Sequence, residues 1–158
     1  MRLLNSICKV VASQYKGVAV HIEQVPNNFK RDCFLVTLAT ESSKLKSYNV
    51  YEDSPTFQIV YFGKRSEANQ VLAEELYKVK EELKALFLLR RCVPVIPLSE
   101  VKEKARYAKI ENYSDEIRLD EGCVYVKLTL SFTEDTPKHE PYELIGEVDL
   151  ETKAVTNG

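Results

Sequence analysis

Apolar residues recur at helical spacing in two segments of the chain. The first segment runs from about Leu3 to Tyr15, and Gly17 is placed to end it. Its apolar stripe consists of Leu4, Ile7, Cys8, Val11 and Tyr15. The second runs from about Glu67 to Leu89, with Ser66 as its predicted N-cap. Its stripe consists of Leu72, Leu76, Val79, Leu83 and Leu86. Both patterns predict amphipathic helices that pack by one side.

Alternation of apolar and polar residues predicts strands in most of the remaining chain. Residues 18–23 and 34–39 form a pair of such segments, separated by a turn at Pro26-Asn27-Asn28. An aromatic strand, residues 56–62, follows Pro55. The most regular alternation begins after Gly122, and its apolar positions are Val124, Val126, Leu128, Leu130 and Phe132. This last pattern predicts a long antiparallel strand with one side facing solvent.

Three segments have weaker patterns. The polar stretch Glu41 to Asp53 is predicted as a hairpin tip or a long loop, and the prolines at 94 and 97 keep residues 92–98 out of the interior of a sheet. Residues 103–113 are expected to form a strand, followed by a turn at Ser114-Asp115 and a short strand at residues 117–119.

The order of these elements predicts an α+β fold. We expect an antiparallel β-sheet, with an N-terminal helix and a long central helix packed on one face. Residues 1–134 are predicted to form a single domain and residues 135–158 a C-terminal extension. The extension has a weak alternation of its own at Leu144, Gly146, Val148 and Leu150, which fits a hairpin or an arm.

Charge and apolar content argue against a nucleic-acid-binding, a secreted or a membrane-spanning protein. The 158 residues include 22 basic and 24 acidic side chains, a balance that argues against a nucleic-acid binder. The first helix is amphipathic and does not resemble a secretory signal, and no apolar run approaches the roughly 20 residues of a membrane span. Four widely spaced cysteines, at positions 8, 33, 92 and 123, predict reduced thiols in a cytosolic protein.

Candidate catalytic and metal-binding residues are few. The two histidines, His21 and His139, are far apart in the sequence, and cysteines are not placed near them at zinc-site spacing. Cys33 follows Lys30-Arg31-Asp32 and is the best candidate nucleophile, but it opens an apolar strand and is better explained as a buried side chain. Phosphate-binding glycine motifs are missing from the sequence. We therefore predict no catalytic residue, no metal site and no cofactor.

Three stretches carry a resemblance to a known family: LLNSICKVV, VHIEQVPNNFKRDCFLVTL and TFQIVYFGK. With Glu23, Phe29, Cys33-Phe34 and the aromatic strand 57–62 in this order, the chain resembles the tail terminator, or tail completion, family. That family occurs in contractile-tailed phages, prophages and phage-tail-like bacteriocins. The resemblance covers about residues 3–132, and the stretch from about Thr133 departs from it.

The resemblance implies a structural protein without enzymatic activity. Members form a hexameric ring that caps the tail tube and sheath, ends tail polymerisation and joins the tail to the neck or head. The implied partners are further copies of the chain, the tube protein, the sheath protein and neck or connector proteins, with no membrane and no sequence-specific nucleic acid. The implied location is a virion or phage-tail-like particle assembled in the host cytoplasm.

Two segments are candidates for subunit or tube contacts. One is the loop 42–54, with Lys44, Lys46, Tyr48 and Tyr51. The other is the extension 135–158, in which Tyr142 and Leu144 could join a strand added to a neighbouring subunit or lie against the sheath. The alternatives are an ordinary hairpin tip for the loop, and a disordered end or an intrachain hairpin for the extension.

Two other classes of function stay open on the sequence. One is a neck, head–tail connector or tail adaptor protein, which would bind the portal side. The other is a small enzyme or nucleic-acid-binding domain, for which salt-dependent DNA binding would be diagnostic.

Overall fold

A computed structural model describes residues 2–96 and 105–135 and confirms the mixed α+β class. The elements in chain order are α1 (Arg2–Gln14), β1 (Ala19–Ile22), β2 (Cys33–Ser47), β3 (Val50–Phe62), α2 (Ala73–Arg90), β4 (Cys92–Pro94), β5 (Tyr107–Arg118) and β6 (Cys123–Asp135).

The strands form one sheet in the order β1-β2-β3-β6-β5-β4. The prediction of an antiparallel sheet is wrong at one edge, because β1 runs parallel to β2, with Ala19 opposite Cys33. Between these strands the chain turns back through Glu23, Asn28 and Asp32, which all have positive φ. Such φ values are uncommon outside glycine and best tolerated by Asn and Asp. The connection therefore returns the chain to the end of the sheet where β1 began.

One face of the sheet and both helices share a single core. Phe34, Tyr61 and Val124 lie side by side across β2, β3 and β6, and all three are buried. The alternation predicted for β6 is confirmed at every apolar position from Val124 to Phe132. The first helix is also confirmed, and Gly17 follows it with a φ of +82°.

The predicted start of the second helix is wrong. Ser66 does not cap α2, since its hydroxyl accepts a hydrogen bond from the Gln70 N–H while its own N–H donates to the Gln70 carbonyl. Asn69 has positive φ inside this closed turn. The helix begins only at Ala73, with Leu72 as a cap residue that makes no side-chain hydrogen bond. Leu72 is consequently exposed instead of lying in the buried stripe.

The predicted turn at Ser114-Asp115 is also wrong. Both residues pair with β6, opposite Lys127 and Val126, within the continuous strand β5. The Asp115 carboxylate lies 3.6 Å from the Lys80 ammonium group of α2. Asp115 is therefore a polar residue within a strand because it forms an ion pair with the helix, not because it lies in a turn.

Proline positions fit the sheet. Pro94 lies in the three-residue edge strand β4, which agrees with the prediction that the prolines keep this segment out of the interior of the sheet. Pro55 lies inside β3, where it pairs with Glu41 of β2, but pairing with β6 is recorded only on either side of it, at Asp53 and Thr56. A residue without an N–H is accommodated where one ladder is interrupted. Pro97 is outside the described residues.

Candidate assembly surfaces

The polar stretch predicted as a hairpin tip or long loop is a hairpin. Strands β2 and β3 stay paired from Glu41 opposite Pro55 to Ser47 opposite Val50, so that only Tyr48 and Asn49 form the tip. We call residues 40–55 the distal hairpin. Strand β6 accompanies β3 along its whole length, and Asp135 pairs with Val50 at the tip.

One face of the distal hairpin carries both predicted lysines. Lys44 lies opposite Glu52, and the Lys46 ammonium group forms an ion pair with the same carboxylate. The hydrogen bond from Lys46, followed by one from the Ser131 hydroxyl, holds the pKa of Glu52 below its usual range. Two lysines thus face one carboxylate, which leaves positive charge in excess on this face.

The two predicted tyrosines have different surroundings. Tyr51 lies on the opposite face of the hairpin, on the side of the helices, and Tyr48 lies at the tip. The Tyr51 hydroxyl donates a hydrogen bond to Glu134 at 2.9 Å, and this bond raises the pKa of Tyr51. Arg2 of α1 lies 3.3 Å from the same carboxylate. Tyr51 therefore anchors the hairpin to the domain, whereas Tyr48 at the tip is 87% exposed.

Leu45 is a further exposed residue, which the sequence pattern does not single out. It lies opposite Tyr51 on the helix side of the distal hairpin and is 74% exposed. Its signal in the sequence is a lone leucine within a run of serine and lysine residues. An isolated exposed leucine is ordinary on a protein surface, so only its position beside an open edge makes it notable.

The outer edge of β2 is open along the distal hairpin. Strand β1 covers β2 only from Cys33 to Val36. Glu23 ends this coverage, because its N–H donates to the Val36 carbonyl and its carboxylate accepts from the Leu38 N–H at 3.1 Å. Within residues 2–96 and 105–135, no strand pairs with this side of β2 from residue 39 to Ser47. Open edges of this kind are sites for strand addition.

Carboxylates line the helix side of the same region. A cleft of about 170 Å³ between α1 and the distal hairpin is bordered by Glu23, Glu41, Asp53 and Glu134. Ser43 donates a hydrogen bond to Asp53 there. The helix side of the open edge is therefore acidic away from Leu45, while the opposite face is basic.

The surroundings of Cys33 are those of a buried structural side chain and not of a nucleophile. Its thiol is fully buried, and burial raises its pKa, with Asp32 adding to the effect and Arg31 opposing it. A protonated, inaccessible thiol is a poor nucleophile. In the part of the chain that the structure describes, no three His, Cys, Asp or Glu residues are grouped to hold a metal ion. Neither α1 nor α2 combines the length and apolar character that a membrane crossing requires.

Cys8 is expected to make the free energy of unfolding depend on pH in the alkaline range. Burial in α1 raises the pKa of this thiol from 9.0 to about 11. An unfolded chain releases the proton near pH 9, so the stabilisation from the neutral thiol is complete below pH 9 and is lost as pH rises through 11. Between pH 8 and 11 we expect the difference in unfolding free energy between wild type and Cys8→Ala to shrink by about 2 kcal/mol.

Urea unfolding followed by circular dichroism at 222 nm measures this difference at each pH. Val11→Ala is the control, because it removes a buried apolar side chain from the same helix without a titrating group. A difference for Cys8→Ala that is as constant with pH as that of the control would contradict the buried neutral thiol.

Two predicted contact residues, Tyr142 and Leu144, lie outside the described residues, as does His139.

A family model described as phage tail terminator protein matches residues 2–142. No curated protein matches the chain.

Proposed function

The chain belongs to the phage tail terminator family, and from this premise we propose that it forms a hexameric ring that caps the tail tube and sheath. The ring would end tail polymerisation and join the tail to the neck or head. The family is one of structural tail proteins, so the protein is a component of a virion or tail particle, and we propose no catalytic role for it. The match over residues 2–142 is the observation that carries the proposal.

The two edges of the sheet support a ring. A closed ring is built from heterologous contacts, in which each subunit presents a different surface to each of its two neighbours. Among the described residues, the sheet has an open edge along β2 and, at its other end, the three-residue strand β4. An open edge that pairs with a different surface of the next subunit would make such a head-to-tail contact.

We further propose that residues 1–134 form the body of the ring and residues 135–158 an arm. The partners are the tube and sheath proteins of a contractile tail or tail-like bacteriocin, with neck or connector proteins on the other side. Assembly would take place in the cytoplasm of the bacterial host. Lys44, Lys46, Tyr48 and Tyr51 belong to the hairpin beside the open edge, and Tyr48 at its tip is exposed to a partner.

The assembly state of the purified protein tests the proposal. We expect mass photometry to detect hexamers, and negative-stain microscopy to show rings at one end of tubes when the cognate tube protein is added. A protein that stays monomeric at high concentration and ignores tubes would overturn the terminator function. Binding to a portal-side protein instead of the tube would indicate a connector or adaptor.

A further inference from the structure

We infer that residues 142–151 of one copy add a strand to the open edge of β2 in the neighbouring copy. This inference rests on the proposed ring, since it names the segment that links one subunit to the next. It depends on three features of the chain: the length and chemistry of the open edge, the pattern of the arm, and the point at which the arm leaves the domain.

The open edge presents two chemically different faces. Side chains alternate along a strand, so Leu45 projects to the helix side together with Ser43 and Glu41, and Lys44 and Lys46 project to the other side. The helix side offers an exposed leucine near the tip. The other side offers two lysines that share a single carboxylate, Glu52.

The arm carries the complementary alternation. Its positions at one parity are Tyr142, Leu144, Gly146, Val148 and Leu150. Its positions at the other parity are Glu143, Ile145, Glu147, Asp149 and Glu151. An added strand with the first set on the helix side would place apolar side chains on the side of Leu45 and the four carboxylates on the side of the lysines. Such cross-strand contacts are the units that stabilise a sheet.

The reverse orientation is disfavoured. A shift of one residue moves every side chain of a strand to the opposite face. The carboxylates of the arm would then lie on the same side as Glu41 of β2, and its apolar side chains on the side of the lysines. Like charges that face each other across strands are destabilising, so the edge selects one face of the arm.

The exit point of the arm directs it toward a neighbour. Strand β6 ends at Asp135, which pairs with Val50 at the tip of the distal hairpin. The connecting residues 136–141, TPKHEP, can span up to roughly 20 Å when extended. Pro137 and Pro141 favour an extended connection. An extended connection carries the arm away from its own hairpin, whereas pairing with its own β2 requires a reversal around the tip.

Two complementary variants of the full-length chain test the inference. Leu45→Asp puts a charge on the open edge and leaves the arm intact, and Val148→Pro removes a strand N–H from the arm and leaves the edge intact. We expect each variant alone to lose the ring by mass photometry and to keep the cooperative thermal unfolding of a folded monomer. Leu89→Asp is the control, since Leu89 is 81% exposed on α2, and it is expected to keep the ring.

Mixing the two variants identifies whose arm occupies the edge. The intact arm of Leu45→Asp can bind the intact edge of Val148→Pro. The reverse contact would join the altered arm of Val148→Pro to the altered edge of Leu45→Asp and cannot form, so assembly stops at heterodimers. Heterodimers in the mixture support exchange of arms between copies. A mixture that contains only monomers overturns the inference.

Charge reversal gives a second test of the chosen face. Lys44→Glu combined with Lys46→Glu is expected to lose the ring, and Glu147→Lys combined with Asp149→Lys in the same chain is expected to restore it. Failure of this rescue would overturn the assigned face. If every variant forms the same rings as the wild type, the inference is wrong and the terminator function still stands. If the wild type itself forms no rings, both are wrong.

Discussion

Replacement of Phe34 by alanine is expected to lower the free energy of unfolding by about 3–5 kcal/mol. Phe34 is fully buried in β2, where its ring centroid lies 4.7 Å from that of Tyr15 and 4.9 Å from that of Tyr61. The substitution removes an aromatic side chain from the junction between α1 and the sheet. Because rigid strands surround the site, the cavity cannot close, and both aromatic contacts are lost.

Urea unfolding followed by circular dichroism is the suitable measurement, since the chain has no tryptophan. Tyr77→Ala is a matched control, because it truncates an aromatic ring that is 54% exposed on α2, and it is expected to change stability by less than about 0.5 kcal/mol. The result also bears on Cys33, the neighbour of Phe34. If Phe34→Ala were as mild as the control, this segment would not be core, and a functional role for Cys33 would have to be reconsidered.

The sequence predicts best those elements that are buried on one side. Helix α1 and strand β6 each place apolar residues on one face and polar residues on the other, so their periods appear directly in the sequence. The α+β class follows from the order of such elements. The prediction that Pro94 does not lie in the interior of the sheet is also correct, since β4 is an edge strand.

The errors occur where polar residues have partners that the sequence does not reveal. Asp115 resembles a turn residue because its partner, Lys80, lies on another element. Ser66 resembles a helix cap but closes a turn with Gln70. The distal hairpin is polar on both faces, so it lacks the one-sided pattern that would distinguish paired strands from a loop.

The candidate site was predictable only in part. The sequence singles out Lys44 and Lys46, which the structure places on one face beside Glu52. It does not reveal that Glu134 anchors Tyr51, or that Arg2 shares this carboxylate from the other end of the described chain. Contacts over such sequence separations depend on the register between β3 and β6, which places Tyr51 opposite Glu134.

Gly63→Ala is expected to lower the free energy of unfolding by about 1–3 kcal/mol through steric overlap. A Cβ at this position would lie 2.6 Å from Leu76 Cδ2 and 3.3 Å from the Gly122 carbonyl oxygen. The backbone has little room to withdraw, because the Gly63 N–H donates to the Gly122 carbonyl at 3.0 Å and its own carbonyl accepts from Arg31. Leu76 is itself buried against the sheet, so it cannot turn into solvent.

A double-mutant cycle separates the two contacts. Leu76→Ala removes the methyl group that the new Cβ would meet, so Gly63→Ala should cost less in that background than in wild type, if the leucine is the obstacle. Gly17→Ala is the contrast, because no atom lies within 4 Å of its Cβ and its expected cost of about 1–2 kcal/mol arises from a φ of +82°. The cost of Gly17→Ala should be the same whether residue 76 is leucine or alanine. An equal cost of Gly63→Ala in both backgrounds would locate the constraint in the Gly122 carbonyl, where the ends of β3 and β6 meet.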